Sequence, residues 1–292
     1  MFRFSLEQKV FDIGGVKIGG QPGENPPVLV GSIFYHKHKI VKDENEGTFD
    51  RDEAEKLIKN VEELHDKTGL PYMFDVVGGS PAAIVKYIDF VAGISKVPIL
   101  IDCLGDITVA SQAIKYVDEV GLRDRSVYNS LTAKSKEEEY KLLQQHRIDK
   151  AVLLLYTDKL LDVSSRIKNL EVMLEKAKIY GIDKVLVDTF VIDIPSLSVA
   201  MRTALEVKKV YGLPAGCGAH NAISTQRKAF KEKLGSESVK AMELASNLAS
   251  IVMGSDFLLY GPIECSTEVF VAVYTIYTSF KYLRRLKMFI EL

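Results

Sequence analysis

The sequence has no tryptophan and only three cysteines, Cys103, Cys217 and Cys265, far apart and without a C-x-x-C pair. An odd, scattered set argues against a disulfide framework and a thiolate zinc site, and it fits a reducing compartment. A free cysteine usually packs as a small hydrophobe, so none of the three is taken as a nucleophile. An excess of charge is missing too. With 38 Lys and Arg against 39 Asp and Glu, and no long basic block, nothing marks a nucleic-acid track. That balance points to small molecules or proteins as partners. No apolar run approaches the roughly 20 residues of a membrane span, and the longest uncharged stretch near the end, 269–280, reads as a buried helix. Charge interrupts residues 1–7 before an apolar core can form, so no secretory signal is expected. Together these absences predict a cytoplasmic protein with no membrane insertion and no nucleic-acid partner.

What is abundant is apolar side chain: 47% of 292 residues, enough to bury a large core. Its arrangement is cyclic. The run Val97-Pro98-Ile99-Leu100-Ile101 ends on Asp102, and Lys184-Val185-Leu186-Val187 ends on Asp188. Unbroken apolar runs of this length suit strands covered on both faces. Similar runs predict strands over 27–34, 71–77, 97–103, 126–131, 150–157, 184–190, 213–219 and 257–263. Between them lie helical periods closed by Gly69, Gly121, Gly181, Gly212 and Gly254, each placed as a C′ residue. Asp50-x-x-Glu53, Ser80-Pro81 and Ser135-x-x-Glu138 mark helix starts. Strands alternating with helices in this number predict an α/β fold, a (β/α)8 TIM barrel. Ahead of it, Gln8 to Ile13 and Val16 to Ile18 around Gly14-Gly15 predict a short antiparallel β-ribbon within 1–26, a lid over one barrel end. The chain 1–292 is read as one domain. A doubly wound sheet lacks its phosphate fingerprint, because Gly78-Gly79-Ser80-Pro81 does not have the G-x-G-x-x-G spacing.

Chemistry in such barrels sits at the carboxyl ends of the strands. There the predicted strands present Asp75, Asp102, Asn129-Ser130, Asp188, His220-Asn221 and Tyr260-Gly261. Lysine is missing from that rim, since Lys150 and Lys184 start their strands, and a Schiff-base aldolase would have no nucleophile. Asp and Asn often only tie off loops. Here Asp102, Asn129 and Asp188 all end apolar strands, where a buried acid demands donors. A ligand rich in N–H groups would meet that demand. His36-Lys37-His38 follows the first strand, as in a class of metal hydrolases, but strand five ends in Leu155-Tyr156-Thr157 and strand eight offers Tyr260. Two histidines alone rarely hold a catalytic metal, so no bound metal is expected. His65 and His146 fall on predicted helices as surface residues.

Longer phrases carry a resemblance. Val16-Lys17-Ile18-Gly19-Gly20-Gln21-Pro22-Gly23-Glu24, His38-Lys39-Ile40-Val41, Gly47-x-Phe49-Asp50 and Tyr260-Gly261-Pro262-Ile263-Glu264 resemble the H subunit family of tetrahydromethanopterin S-methyltransferase. The resemblance runs across most of the chain and implies a homodimeric pterin-binding barrel. In it, Asp102, Asn129 and Asp188 match residues that hold the pterin ring, and Asn221 matches an Asn near the methyl-bearing nitrogen. The residue types suit this role, because carboxylates accept from the N–H groups of an amino-pyrimidinone edge, and Asn both donates and accepts. Asn221 is thus the implied catalytic residue, with Asp75, Ser130, His220 and Tyr260 as secondary candidates.

The implied reaction moves a methyl group between a reduced pterin and a methylcobalamin-type corrinoid carried by a partner protein. Bacterial relatives use tetrahydrofolate, and with no membrane tether in sight tetrahydrofolate is the first expectation. The alternative is the same chemistry with tetrahydromethanopterin or tetrahydrosarcinapterin, as the H subunit of a larger complex. Phe74-Asp75 departs from the amide residues of the family, and Leu104-Gly105-Asp106 from its small polar ones. Two other readings stand beside these: a condensing synthase of the dihydropteroate type, using Gln226-Arg227-Lys228 for a pyrophosphate, and a non-catalytic pterin-binding subunit.

Overall fold

The apolar runs become parallel strands because helices cover them outside and the strands' own side chains cover them inside. The computed structural model describes residues 2–292. Its barrel strands are β1 Val28–Ile33, β2 Tyr72–Val77, β3 Ile99–Asp102, β4 Ser126–Leu131, β5 Lys150–Leu154, β6 Lys184–Asp188, β7 Ala215–Cys217 and β8 Phe257–Pro262. Each strand pairs with the next and β8 pairs with β1, closing the barrel. Most strands are shorter than the apolar runs, because the runs continue as buried loop residues such as Leu155 and Ala219.

The helices are α1 Arg51–Thr68, α2 Pro81–Ile94, α3 Ile107–Glu119, α4 Glu137–Gln145, α5 Val163–Ile179, α6 Ile194–Tyr211, α7 Asn221–Ser224, α8 Arg227–Leu234, α9 Ser236–Val252 and α10 Ser266–Arg285. Asp50 accepts from the Glu53 N–H at the start of α1, and Ser80 accepts from the Ala83 N–H ahead of Pro81 in α2. At α4 the box lies one residue later than predicted. Glu139, not Glu138, reaches back to the Lys136 N–H at 3.2 Å, while Ser135 Oγ accepts from the Thr132 N–H in the preceding turn. The uncharged stretch 269–280 is a one-sided cover and not a buried helix. Val269, Phe270 and Val273 are buried but Val271 and Tyr274 are exposed, since neutral side chains also line the outer face.

Inside the barrel, Val28, Val30, Met73, Leu100, Val127, Val152, Leu186, Phe257 and Leu259 form an apolar plug. The ribbon, Val10–Ile13 paired antiparallel with Val16–Gly19, adds Ile13 and Ile18 to it. Lys184, the first residue of β6, donates to the Asp12 carbonyl at 2.6 Å, so the ribbon seals the end where strands begin. A buried ion pair lashes it down: Lys208 Nζ is 2.7 Å from both Asp256 oxygens and 3.0 Å from the Gly20 carbonyl. The lid therefore closes one mouth and leaves the carboxyl-end mouth to the polar residues. No helix among the described residues is long and apolar enough to cross a membrane.

Candidate active site

Residues two apart on a strand point the same way. Five of the plug residues are therefore followed, two positions on, by a polar side chain at the mouth: Val30 by Ser32, Met73 by Asp75, Leu100 by Asp102, Val127 by Asn129 and Leu186 by Asp188. Polar groups from five strands meet on the barrel axis above an apolar floor.

Asp75, only 3% exposed, is the hub: Oδ2 accepts from Ser32 Oγ at 2.8 Å and Oδ1 from Asn129 Nδ2 at 3.0 Å. Asp102 accepts from the Leu104 N–H at 2.9 Å, and its charge opposes that of Asp75. Asp188 accepts from the Phe190 N–H at 2.8 Å, and the Gly218 N–H lies near enough to lower its pKa. Burial is the leading cause that lifts all three acids. Asp75 is raised against the bonds from Ser32 and Asn129, and Asp102 is raised with the Asp75 charge adding. Asp188 is pushed up to about 6 against the pull of Phe190 and of Arg166. Three acids in one weakly solvated place need donors, which protons or a ligand's N–H groups can supply. Beside them a cavity of about 490 Å³ opens along Asp102, Asn129 and Ser130, walled by Leu104, Ile107 and Leu154.

His220 and Asn221 follow β7, and Asn221 Nδ2 overhangs Gly218, whose N–H lies near Asp188. Tyr260 stands apart. A register slip between Leu259 and Gly261 turns it to the helix layer, where its ring meets Phe270 edge-on and its hydroxyl fills the space above Gly31. His36 and His38 diverge as well: His36 is exposed on Glu44, while buried His38 accepts from the Phe34 N–H at 3.0 Å and meets Glu264 at 3.0 Å. Among the described residues no group of His, Cys, Asp or Glu is arranged to hold a metal ion. His65 and His146 are half-buried rather than surface residues, bonded to the Leu70 carbonyl and to Asp118. Arg227 is paired with Glu243, which occupies the guanidinium that the condensing-synthase reading would use for a pyrophosphate.

One residue that sequence reading missed is Arg166. It sits in the first turn of α5, fully buried, and its guanidinium donates to the carbonyls of Thr189, Phe190 (2.8 Å) and Leu160 (2.8 Å). It thereby sets the turn after β6 that aims the Phe190 N–H at Asp188. Nothing in its local sequence signals this. Arg166→Lys is expected to cost about 2 kcal/mol of stability, because an ammonium cannot fork to three carbonyls. Denaturant titration measures it, and an unchanged midpoint would refute the role.

Known proteins bear on this site. The family described as the tetrahydromethanopterin S-methyltransferase MtrH subunit matches residues 6–292. The H subunit of tetrahydromethanopterin S-methyltransferase from Methanothermobacter marburgensis is 41% identical over 285 residues, spanning 93% of this chain and 91% of its own length. The H subunit of the putative methyltransferase mtx from Methanosarcina barkeri is 40% identical over 281 residues, spanning 92% of this chain and 90% of its own. Among solved structures, the dihydropteroate synthase of Xanthomonas albilineans superposes with a TM-score of 0.63 at 14% identity, over 94% of this chain and 98% of its own. At that identity the likeness speaks for the barrel alone. Match length and identity together mean that this chain belongs to the H subunit family of tetrahydromethanopterin S-methyltransferase.

Proposed function

We propose that this chain transfers a methyl group between a reduced pterin and a corrinoid carried by a partner protein, and that the pterin is tetrahydromethanopterin. The expectation of tetrahydrofolate gives way, because relatives 38–41% identical carry tetrahydromethanopterin in their names. The observation that carries the reading is the convergence of Asp75, Asp102, Asn129 and Asp188 on one partly dry mouth. A reduced pterin presents several N–H donors on one edge, and carboxylates accept them in pairs.

In this reading Asp102 and Asp188 grip the ring, Asn129 is aligned by Asp75, and Asn221 lies near the methyl-bearing nitrogen. A corrinoid supplies the nucleophile or methyl donor when the partner docks at the same mouth, and docking brings the reactants into register. The reading includes a cytoplasmic homodimer, which light scattering of the purified protein tests.

Calorimetry with tetrahydromethanopterin and tetrahydrofolate side by side, followed by spectroscopic demethylation of methylcobalamin, tests the rest. Tetrahydromethanopterin is expected to bind more tightly and to support transfer. Asp188→Ala is expected to lose pterin affinity, whereas Asn221→Ala lowers turnover more than binding. Tighter binding of tetrahydrofolate would reverse the choice of pterin, and equal pterin binding by Asp188→Ala would remove the assigned grip.

A further inference from the structure

The imidazole of His220 lies in a notch that two glycines leave open. A Cβ on Gly261, where φ is +88°, would come within 2.7 Å of ring atoms Cγ and Cδ2. A Cβ on Gly218 would lie 3.8 Å from Cε1 and 3.0 Å from Asn221 Nδ2. The ring is thus seated between the end of β8 and the turn after β7. Its tautomer is set as well. Nδ1 is 3.1 Å from the Leu259 carbonyl, which only accepts, so Nδ1 carries the proton and Nε2 keeps its lone pair. Burial lowers the pKa of this imidazole, opposed by the Leu259 bond.

His220 borders a cavity of about 760 Å³ that also reaches Ser32, the donor to Asp75. Nε2 makes no hydrogen bond within the protein and is not among the sealed, unpartnered polar atoms, so its lone pair is reachable. Charged groups around the same cavity are Glu243 with its partner Arg227, Glu264, Glu268, Lys39 and Lys240. Glu264 is held by His38 and by the Tyr35 hydroxyl. Asn221 has no titratable proton, so the neighbouring imidazole is the group at this end of the mouth that can exchange one.

We propose that His220 is the proton carrier of the pterin reaction, working through Nε2 at the cavity that reaches Ser32. This rests on the methyl-transfer reading above. When the pterin is demethylated, the N–CH3 bond breaks with both electrons staying on nitrogen. The methyl carbon takes its new electron pair from the reduced corrinoid of the partner, and Nε2–H of the charged imidazole supplies the proton that neutralises the nitrogen. In the opposite direction the pterin N–H proton passes to the Nε2 lone pair as the N–CH3 bond forms and the bond from carbon to the corrinoid breaks.

The experiment compares wild type, His220→Gln, His220→Ala and Gly261→Ala. Reduced tetrahydromethanopterin binding is followed by calorimetry, and methyl transfer from methylcobalamin is followed from pH 5 to 9. Variants are expected to bind the pterin within about threefold of wild type but to turn over at least 100-fold more slowly, the low end of general acid–base effects. Loss of the limb of the pH profile assigned to His220, and partial rescue of His220→Ala by added imidazole, are expected too. Gly261→Ala should copy the defect by pushing the ring from its seat. If wild type binds and transfers while His220→Gln keeps its rate and pH profile, the proton role is overturned and the methyl-transfer reading stands. Parallel loss of binding and rate would make His220 a binding residue only and overturn the proton role. Failure of wild type to bind the pterin would overturn both.

Discussion

Asp102→Asn is expected to leave the empty protein more stable and to weaken pterin binding on the order of 100-fold. Both effects come from one carboxylate. The amide oxygen of the replacement can still accept from the Leu104 N–H, so the local turn is preserved. The lost charge is one that burial and Asp75 both oppose, lifting Asp102 to about 7. The sign follows from linkage. A folded-state pKa above the unfolded value, near 4 for Asp, means that the native protein holds its proton longer. Stability of the wild type therefore falls as pH rises from about 4 to about 7. The variant escapes that loss, gaining roughly 1–3 kcal/mol above pH 7 and nothing below pH 4. The pterin, in contrast, loses a charged acceptor, whose hydrogen bonds contribute roughly 1.5–3 kcal/mol each. Thermal melts across pH 4–8, paired with calorimetry, decide it. A variant less stable than wild type at pH 8 would mean that Asp102 is satisfied by the protein and not poised for a ligand.

Lys208→Met should be the most damaging single change outside the mouth. Lys208 and Asp256 are buried together, and Asp256 Oδ2 also accepts from the Ala215 N–H at 2.9 Å at the start of β7. Removing the ammonium leaves a carboxylate that burial already pushes toward protonation, and frees the Gly20 carbonyl of the ribbon. A loss of about 3–5 kcal/mol is expected, whereas Lys208→Met with Asp256→Leu should recover part of it. Denaturant unfolding of the single and double variants gives the coupling. A single variant within about 1 kcal/mol of wild type would show that the ribbon is held by its apolar contacts alone.

The barrel was legible because its signals are local. Apolar runs of strand length, glycines after helices, and caps such as Asp50 and Ser80 each depend on a few adjacent residues. Where a local signal had two solutions one residue apart, as at Ser135 and Glu138, the contest was settled by the turn that Ser135 Oγ makes with Thr132. The amphipathic nature of α10 was hidden because burial of one helix face depends on which neighbour covers it.

The mouth was half legible for the same reason. That Asp102, Asn129 and Asp188 end strands can be read along the chain, and strand parity then aims them inward. Which acid is central cannot: Asp75 became the hub because closing the barrel brings Ser32 and Asn129 to its two oxygens. Arg166 comes from the first turn of a helix outside the barrel, and the seat of His220 comes from a glycine on the following strand. Tyr260 was turned outward by a one-residue slip between β8 and β1. Periodicity and capping act over a few residues, so the order of residues along the chain was enough to dictate the cycle of strands and helices, and with it the rim on which the polar groups stand. Which of those groups share protons and charge was settled by closure of the barrel, because it depends on distances between strands that are far apart in the chain.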